Sequence, residues 1–220
     1  MVVAVAHRFI VVEGPIGVGK TSLARRLSQS LGGELVLEQA EQNPFLERFY
    51  KNPRAAAFQT QLFFLFQRAR QLEEVRQEDL FSAVRVADYL LEKDRLFARV
   101  TLDDAEYALY ERVYERVVID APKPDLVVYL QAPVDVLVDR IARRGIRYEQ
   151  HIERAYLDKL NQAYARFFHS YDASPLLIVN SAAIDPVNSE GDYQQLFDEI
   201  TKTRRGRHFF NSTRSSLLPD

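Results

Sequence analysis

At 220 residues the chain is long enough for one domain with a substantial core. Its 29 basic and 31 acidic side chains nearly cancel to a formal charge of −2, which argues against a nucleic-acid polymer or an anionic membrane as partner and in favour of a small molecule. The absence of cysteine excludes a disulfide framework and a thiolate metal site, and His7, His151, His169 and His208 are too far apart to mark a zinc cluster.

In chain order, the opening "MVVAVAH" lacks the charged region and cleavage site of a secretion signal, and no apolar run reaches the ~20 residues of a membrane span. A cytoplasmic protein is expected. Short β-branched apolar runs then alternate with helical patterns, the signature of an α/β fold with helices on both faces of a parallel sheet. Strands are predicted over residues 8–14, 34–38, 83–88, 125–131 and 176–180, giving five in one domain spanning residues 1–220. Helices are predicted near 20–31, 53–75, 102–116, 133–144, 152–171 and 192–203. Beyond Thr203, "RRGRHFFNSTRSSLLPD" has weak periodicity and is expected to be partly mobile.

The first strand leads into "GPIGVGKTSL", where Gly14, Gly19, Lys20 and Thr21 fit G-x-x-x-x-G-K-[ST] between an apolar strand and a helical pattern. This is a P-loop, and Gly14, Pro15, Ile16, Gly17, Val18, Gly19, Lys20, Thr21 and Ser22 form the expected ATP-binding stretch. Glycines turn backbone N–H groups toward phosphate, the helix start adds positive dipole, Lys20 reaches the β and γ phosphates, and the Thr21 hydroxyl can ligate Mg²⁺. The loop alone leaves open whether the γ-phosphoryl group goes to water, a protein or a small molecule.

Glu38, at the end of the second predicted strand, should face the same crevice, because ligands of open parallel sheets sit beyond the carboxyl ends of the strands. There it could accept a proton from a hydroxyl; on position alone it is equally a solvated strand end. In the long helix from Pro53, Phe58, Gln61, Leu65 and Arg68 fall at i, i+3, i+7 and i+10, on one stripe. Gln61 and Arg68 therefore share a face with apolar residues and need polar partners, either a ligand such as a nucleobase or groups of the protein. Further on, Arg140, Arg143, Arg144 and Arg147 cluster around Gly145, an arrangement suited to phosphoryl oxygens or simply a solvated basic turn.

These stretches, together with "LEQAEQNPFLERFYKNPRAAAFQTQLFFLFQR" and "PDLVVYLQAPVDVLVDRIARRGIRYEQHIERAYLDKLNQAY", resemble the deoxyribonucleoside kinases over roughly residues 8 to 180, most of all the bacterial deoxyadenosine and deoxyguanosine kinases. The resemblance implies a P-loop kinase with an arginine-rich lid, about 140–152, that uses ATP and Mg²⁺ to phosphorylate the 5'-hydroxyl of a deoxynucleoside, preferably a purine. It implies that Glu38 is the general base and that Tyr50 and Glu149 hold the sugar 3'-hydroxyl. Gln61, Arg68 and Asp94 would read the base, Arg140, Arg144 and Arg147 would act from the lid, and Asp88 would join Thr21 at the metal. It also implies a homodimer through the helices at 53–75 and 102–116, with Leu62, Phe63, Phe64 and Phe66 available for contact unless they fill the core.

The match has gaps. In "VADYLLEKDRLFA", setting Asp88 on the family's acidic residue keeps the six-residue step to Asp94 but costs one deletion and puts Tyr89 where the family has arginine; an ungapped match would instead set Asp88 opposite that arginine and Ala87 opposite the acid. Arg95 is the substitute to consider for that cation. Ile146 stands at a usual lid arginine, with Arg147 beside it, and Gln39 replaces a common proline. Beyond the last strand, Ser181 to Ala183 are small enough to admit an adenine ring. The rival readings are a nucleoside monophosphate kinase of the thymidylate kinase type and a non-catalytic nucleotide-binding regulator.

Overall fold

The computed structural model describes residues 7–77, 84–118 and 121–211. Six strands form one parallel sheet: β1 (Phe9–Glu13), β2 (Glu34–Val36), β3 (Arg85–Ala87), β4 (Leu126–Gln131), β5 (Leu176–Asn180) and β6 (Arg207–Phe210), in the order β2-β3-β1-β4-β5-β6. The sheet is thus one strand larger than the sequence predicts. The addition comes from the tail: Arg207–Phe210 pairs with Leu176–Val179 of β5, and Arg207 donates to the carbonyls of His169 (2.8 Å) and Tyr171 (3.1 Å). The expectation of a mobile tail therefore fails for these residues; its remainder from Ser212, like Ala83 of the predicted third strand, lies outside the described residues.

Alternation along the strands builds two cores. Ile10, Val12, Val128, Leu130, Leu177 and Val179 face one side, against Leu23 and Leu27 of α1 (Lys20–Leu31). Phe9, Val11, Val127, Tyr129, Leu176 and Ile178 face the other, against Leu160, Tyr164 and Phe168. Being apolar on both faces is what makes these strands central.

Two short helices were not foreseen, α2 (Leu46–Lys51) and α4 (Lys93–Thr101), while the long predicted helix is α3 (Pro53–Gln77). The helix predicted over 102–116 is α5 (Asp104–Val117), started by a capping box: Asp103 Oδ1 accepts from Glu106 N–H (2.8 Å) and Glu106 Oε2 from Asp103 N–H (3.2 Å). The predicted lid begins where α6 (Val134–Arg144) stops at Gly145 (φ +68°), turns through a 3₁₀ segment, Arg147–His151, and passes into α7 (Arg154–Ser170); α8 (Glu190–Lys202) follows β5.

β1 has β3 on one side and β4 on the other, so the chain leaves it in opposite directions and a crevice opens at its carboxyl end. The P-loop occupies that crevice.

Candidate active site

The loop following β1 is pressed against its neighbours so closely that side chains do not fit. Gly14 has φ +152°, and a Cβ on it would stand 2.3 Å from the Leu130 carbonyl oxygen; Gly17 has φ +83°, and its Cβ would stand 2.8 Å from Ile141 Cγ1. Glu13, at the end of β1, is fully buried and ties the floor of the site together. Its carboxylate accepts from Gly14 N–H (2.7 Å), Leu90 N–H (2.6 Å) and the Tyr164 hydroxyl (3.0 Å). Sequence reasoning passed over this residue because it reads as the polar end of an apolar strand.

Two cavities meet at the loop. The first, ≈ 710 Å³, lies between the P-loop, the basic end of α6 and residues 181–188 after β5. Arg140 donates to Val18 O (3.0 Å), Ser181 Oγ (2.7 Å) and Ser181 O (2.7 Å), so it clasps the P-loop to the segment carrying the predicted adenine contacts. The second, ≈ 580 Å³, contains Glu38, Tyr50, Gln61, Arg68, Asp88 and Glu149 on its walls. Gly17, Lys20, Thr21, Ser22 and Arg144 line both.

The side chains predicted for the acceptor side converge, with one substitution of partners. Arg68 lies across Glu38 and Asp94, one guanidinium nitrogen on each carboxylate, and it stacks 4.7 Å from the centre of the Phe64 ring. Asp94 is wholly buried, with Arg68 as its partner. Lys93, almost fully buried at the start of α4, reaches the other Glu38 oxygen instead (Nζ to Oε2, 2.9 Å). Arg95, the suggested replacement for the missing family cation, points away to Glu111 (3.1 Å). Tyr89, the residue after Asp88, is itself buried.

The electrostatics follow from these contacts. Burial disfavours the Glu38 charge, but Arg68, Lys93 and Lys20 outweigh it and hold the carboxyl well below the usual carboxylate range. Asp94, with no exposure and no partner for Oδ2 among the described residues, is pushed up by burial to about 6, an effect that Arg68 offsets only in part. Lys20 is brought down to about 8 by burial and by Lys93, against the pull of Glu13, Glu38 and Asp88; its Nζ donates to Gly14 O (2.7 Å) and Pro15 O (3.1 Å).

Toward the lid, Arg144 forks onto Glu149, Nε to Oε2 at 3.0 Å and Nη2 to Oε1 at 2.6 Å. Tyr50 stacks on Tyr148 with centroids 6.2 Å apart and planes 9° from parallel. Gln61 is buried with its side-chain oxygen unpartnered among the described residues. Arg147 is exposed and outside both cavity walls, whereas Ile146 lines the second. Thr21 donates its hydroxyl to Asp88 Oδ2, and Asp88 Oδ1 accepts from Glu38 N–H (2.7 Å).

A phosphate cradle shared by two cavities, one walled by small residues and the other by a carboxylate and polar groups, defines the class as a P-loop kinase, a phosphotransferase with separate donor and acceptor sites. The family model described as deoxynucleoside kinase matches residues 10–204, and the chain belongs to the deoxynucleoside kinase family. It is a kinase that phosphorylates nucleosides. The deoxyguanosine kinase of Bacillus subtilis is 36% identical over 193 residues, covering 86% of this chain and 93% of that protein. The deoxyadenosine/deoxycytidine kinase of the same organism is 29% identical over 204 residues, covering 88% and 92%. The solved structure of deoxyadenosine kinase from M. mycoides with bound dATP superposes with a TM-score of 0.77 at 27% identity, covering 88% of this chain and 99% of that one. No described helix is long and apolar enough to cross a membrane.

Proposed function

We propose that the enzyme transfers the γ-phosphoryl group of ATP to the 5'-hydroxyl of a purine 2'-deoxynucleoside, deoxyguanosine foremost. The observation that carries this reading is the meeting of the two cavities at Lys20, Thr21 and Arg144, with Glu38 on the acceptor side. Arg68 and Lys93 are both engaged by acidic side chains, which favours an uncharged acceptor over a nucleoside monophosphate. The base preference is supported by the 36% identity to a deoxyguanosine kinase, and the Gln61 carbonyl oxygen, unpartnered among the described residues, is available to accept from an N–H of the base.

In the reaction the 5'-oxygen bonds to the γ-phosphorus as the bond to the β,γ-bridging oxygen breaks. ADP leaves with that electron pair, and the hydroxyl proton goes to Glu38. Tyr50 and Glu149 hold the sugar 3'-hydroxyl, Gln61 and Arg68 position the base with Asp94 behind Arg68, and Lys20 and Arg144 face the phosphoryl oxygens. Arg140 acts by holding the donor segment against the P-loop. The adjoining Thr21 hydroxyl and Asp88 carboxylate are hard oxygen donors of the kind Mg²⁺ takes in ones and twos, leaving its other positions to phosphate and water. Bound there, the cation would supply neutralisation of phosphate charge.

ADP release should be measured with each of the four deoxynucleosides, their ribonucleosides and thymidine monophosphate. The expected result is the highest kcat/KM on deoxyguanosine; turnover of the monophosphate alone would overturn the reading. Proton linkage gives an independent check. ATP phosphates raise the Lys20 pKa from about 8, so binding should take up protons at pH 8 to 9 and weaken as pH rises through that range. Calorimetry in two buffers of different ionisation enthalpy measures the uptake, and Lys20→Arg should abolish it.

The reading extends to a cytoplasmic homodimer. Phe64 is core, but Phe66 on α3 is 53% exposed and Leu109 on the adjacent α5 is 51% exposed, a pair of large apolar groups suited to a helix-on-helix contact with a second copy. Sedimentation should give a dimer for the wild type and a monomer for the double variant Phe66→Glu, Leu109→Glu.

A further inference from the structure

Lys93 is 2% exposed, a degree of burial that lysine reaches only when its charge is matched. It is the first residue of α4, and its Nζ lies 5.9 Å from the ring centres of both Tyr89 and Phe97. From beside these rings it reaches one hydrogen-bonded acceptor among the described residues, Glu38 Oε2, at 2.9 Å. The need for it can be read from the other side of the carboxylate. Arg68 divides its guanidinium between Glu38 Oε1 and Asp94 Oδ1, so one cation serves two buried anions. Without Lys93 the two carboxylates would share Arg68 as their one hydrogen-bonded cation among the described residues, with Lys20 acting on Glu38 only through its field, and the Glu38 carboxylate, held through a single oxygen, would be free to swing about the Arg68 contact. With Lys93 present, two cations face two anions and the carboxylate is pinned at both oxygens. An ionised carboxylate offers about four lone-pair positions, so Oε2 can still accept from a substrate hydroxyl while it accepts from Lys93.

We propose that Lys93 is the positioning residue of the acceptor site: it fixes the Glu38 carboxylate in the orientation that receives the 5'-hydroxyl proton. The assignment rests on the reading of Glu38 as the base. It predicts a defect in turnover rather than in binding, because Lys93 acts through Glu38, whereas the base and sugar are held by Gln61, Arg68, Tyr50 and Glu149. Misplacing a reacting group by about 1 Å costs on the order of 10² in rate. Lys93→Met, which keeps the length of the stem, should therefore lower kcat for deoxyguanosine on the order of 10²-fold with KM changed less than about 3-fold.

Two further variants separate positioning from general loss of structure. Lys93→Arg restores a cation within reach of Glu38 and should recover kcat to within about 10-fold of wild type. In a Glu38→Gln background there is no base left to aim, so adding Lys93→Met should cost less than about 3-fold. ATP binding, measured by calorimetry on every variant, reports that the P-loop side is intact. A kcat for Lys93→Met within about 3-fold of wild type, or the same large loss in the Glu38→Gln background, would overturn the assignment. So would Lys93→Arg performing no better than Lys93→Met. If the wild type itself turned over no deoxynucleoside, the functional reading would fall and this role with it; an active wild type with an indifferent Lys93→Met removes only the role of Lys93.

Discussion

Glu38→Gln is expected to lower kcat by roughly 10²- to 10⁴-fold, the usual contribution of a positioned general base, while the KM for ATP stays within a few-fold of wild type. The amide matches the carboxylate in shape but cannot take the proton, and its NH₂ group faces Arg68 or Lys93, each of which needs an acceptor. The donor cavity is built from other residues, so nucleotide binding is spared. The character of the base shapes a second expectation. Because Arg68, Lys93 and Lys20 hold its carboxyl below the usual range, Glu38 is ionised at every working pH and is too weak to form an alkoxide ahead of the chemistry. The proton moves as the phosphoryl group moves, in keeping with the loose transition state of such transfers. The kcat profile should then show no acidic limb from Glu38 between pH 5 and 7, which steady-state rates across that range will test. Asp94, pushed up to about 6, can put a limb of its own in this range, so a limb with its midpoint near 6 that persists in Asp94→Asn would assign the base role elsewhere.

The largest effect on stability is expected from Arg68→Met. The side chain of Arg68 is 4% exposed and is the partner of Asp94, whose side chain is wholly buried, as well as of Glu38. Removing one member of a buried ionic cluster leaves uncompensated charge and costs about 3–5 kcal/mol. For a chain of this size that corresponds to a drop of about 6–20 °C in the melting temperature, measurable by calorimetry or circular dichroism. The loss should shrink in the double variant Arg68→Met, Asp94→Asn, because the amide removes the charge stranded by the first change. The cluster stabilises as a unit; its parts separately do not.

The elements legible in the sequence were those with a local signature. The P-loop is contiguous, and its glycines are demanded by contacts to Leu130 and Ile141. Helical period puts Gln61 and Arg68 on the buried stripe of α3, and both are buried there, while their assignment to the substrate comes from the family resemblance. What escaped were relations across the chain. Lys93 lies in "LLEKDRL" with nothing to distinguish it from Arg95, and only the start of α4 decides that the first turns inward to Glu38 and the second outward to Glu111. The Asp103 and Glu106 capping box was visible as D-x-x-E, yet the break before it, separating α4 from α5, went unread. The edge strand β6 is four residues long, three of them exposed and the fourth half-buried, so it carries no apolar run; its hydrogen bonds to β5 define it.

The sheet order also bears on how the molecule is made. β1, which carries the P-loop at its end, precedes both of its neighbours, β3 and β4, in the chain. At ribosomal speeds of ~5–20 residues per second, this strand waits several seconds before residues 126–131 are available to pair with it. Until residues 85–87 emerge the β-branched run Ile10, Val11 and Val12 has no strand to pair with, and until β4 emerges one of its edges stays open, which makes it the natural handhold for a chaperone on the nascent chain. The nucleotide site is thus completed only after both strands that flank β1 have followed its signature in the chain.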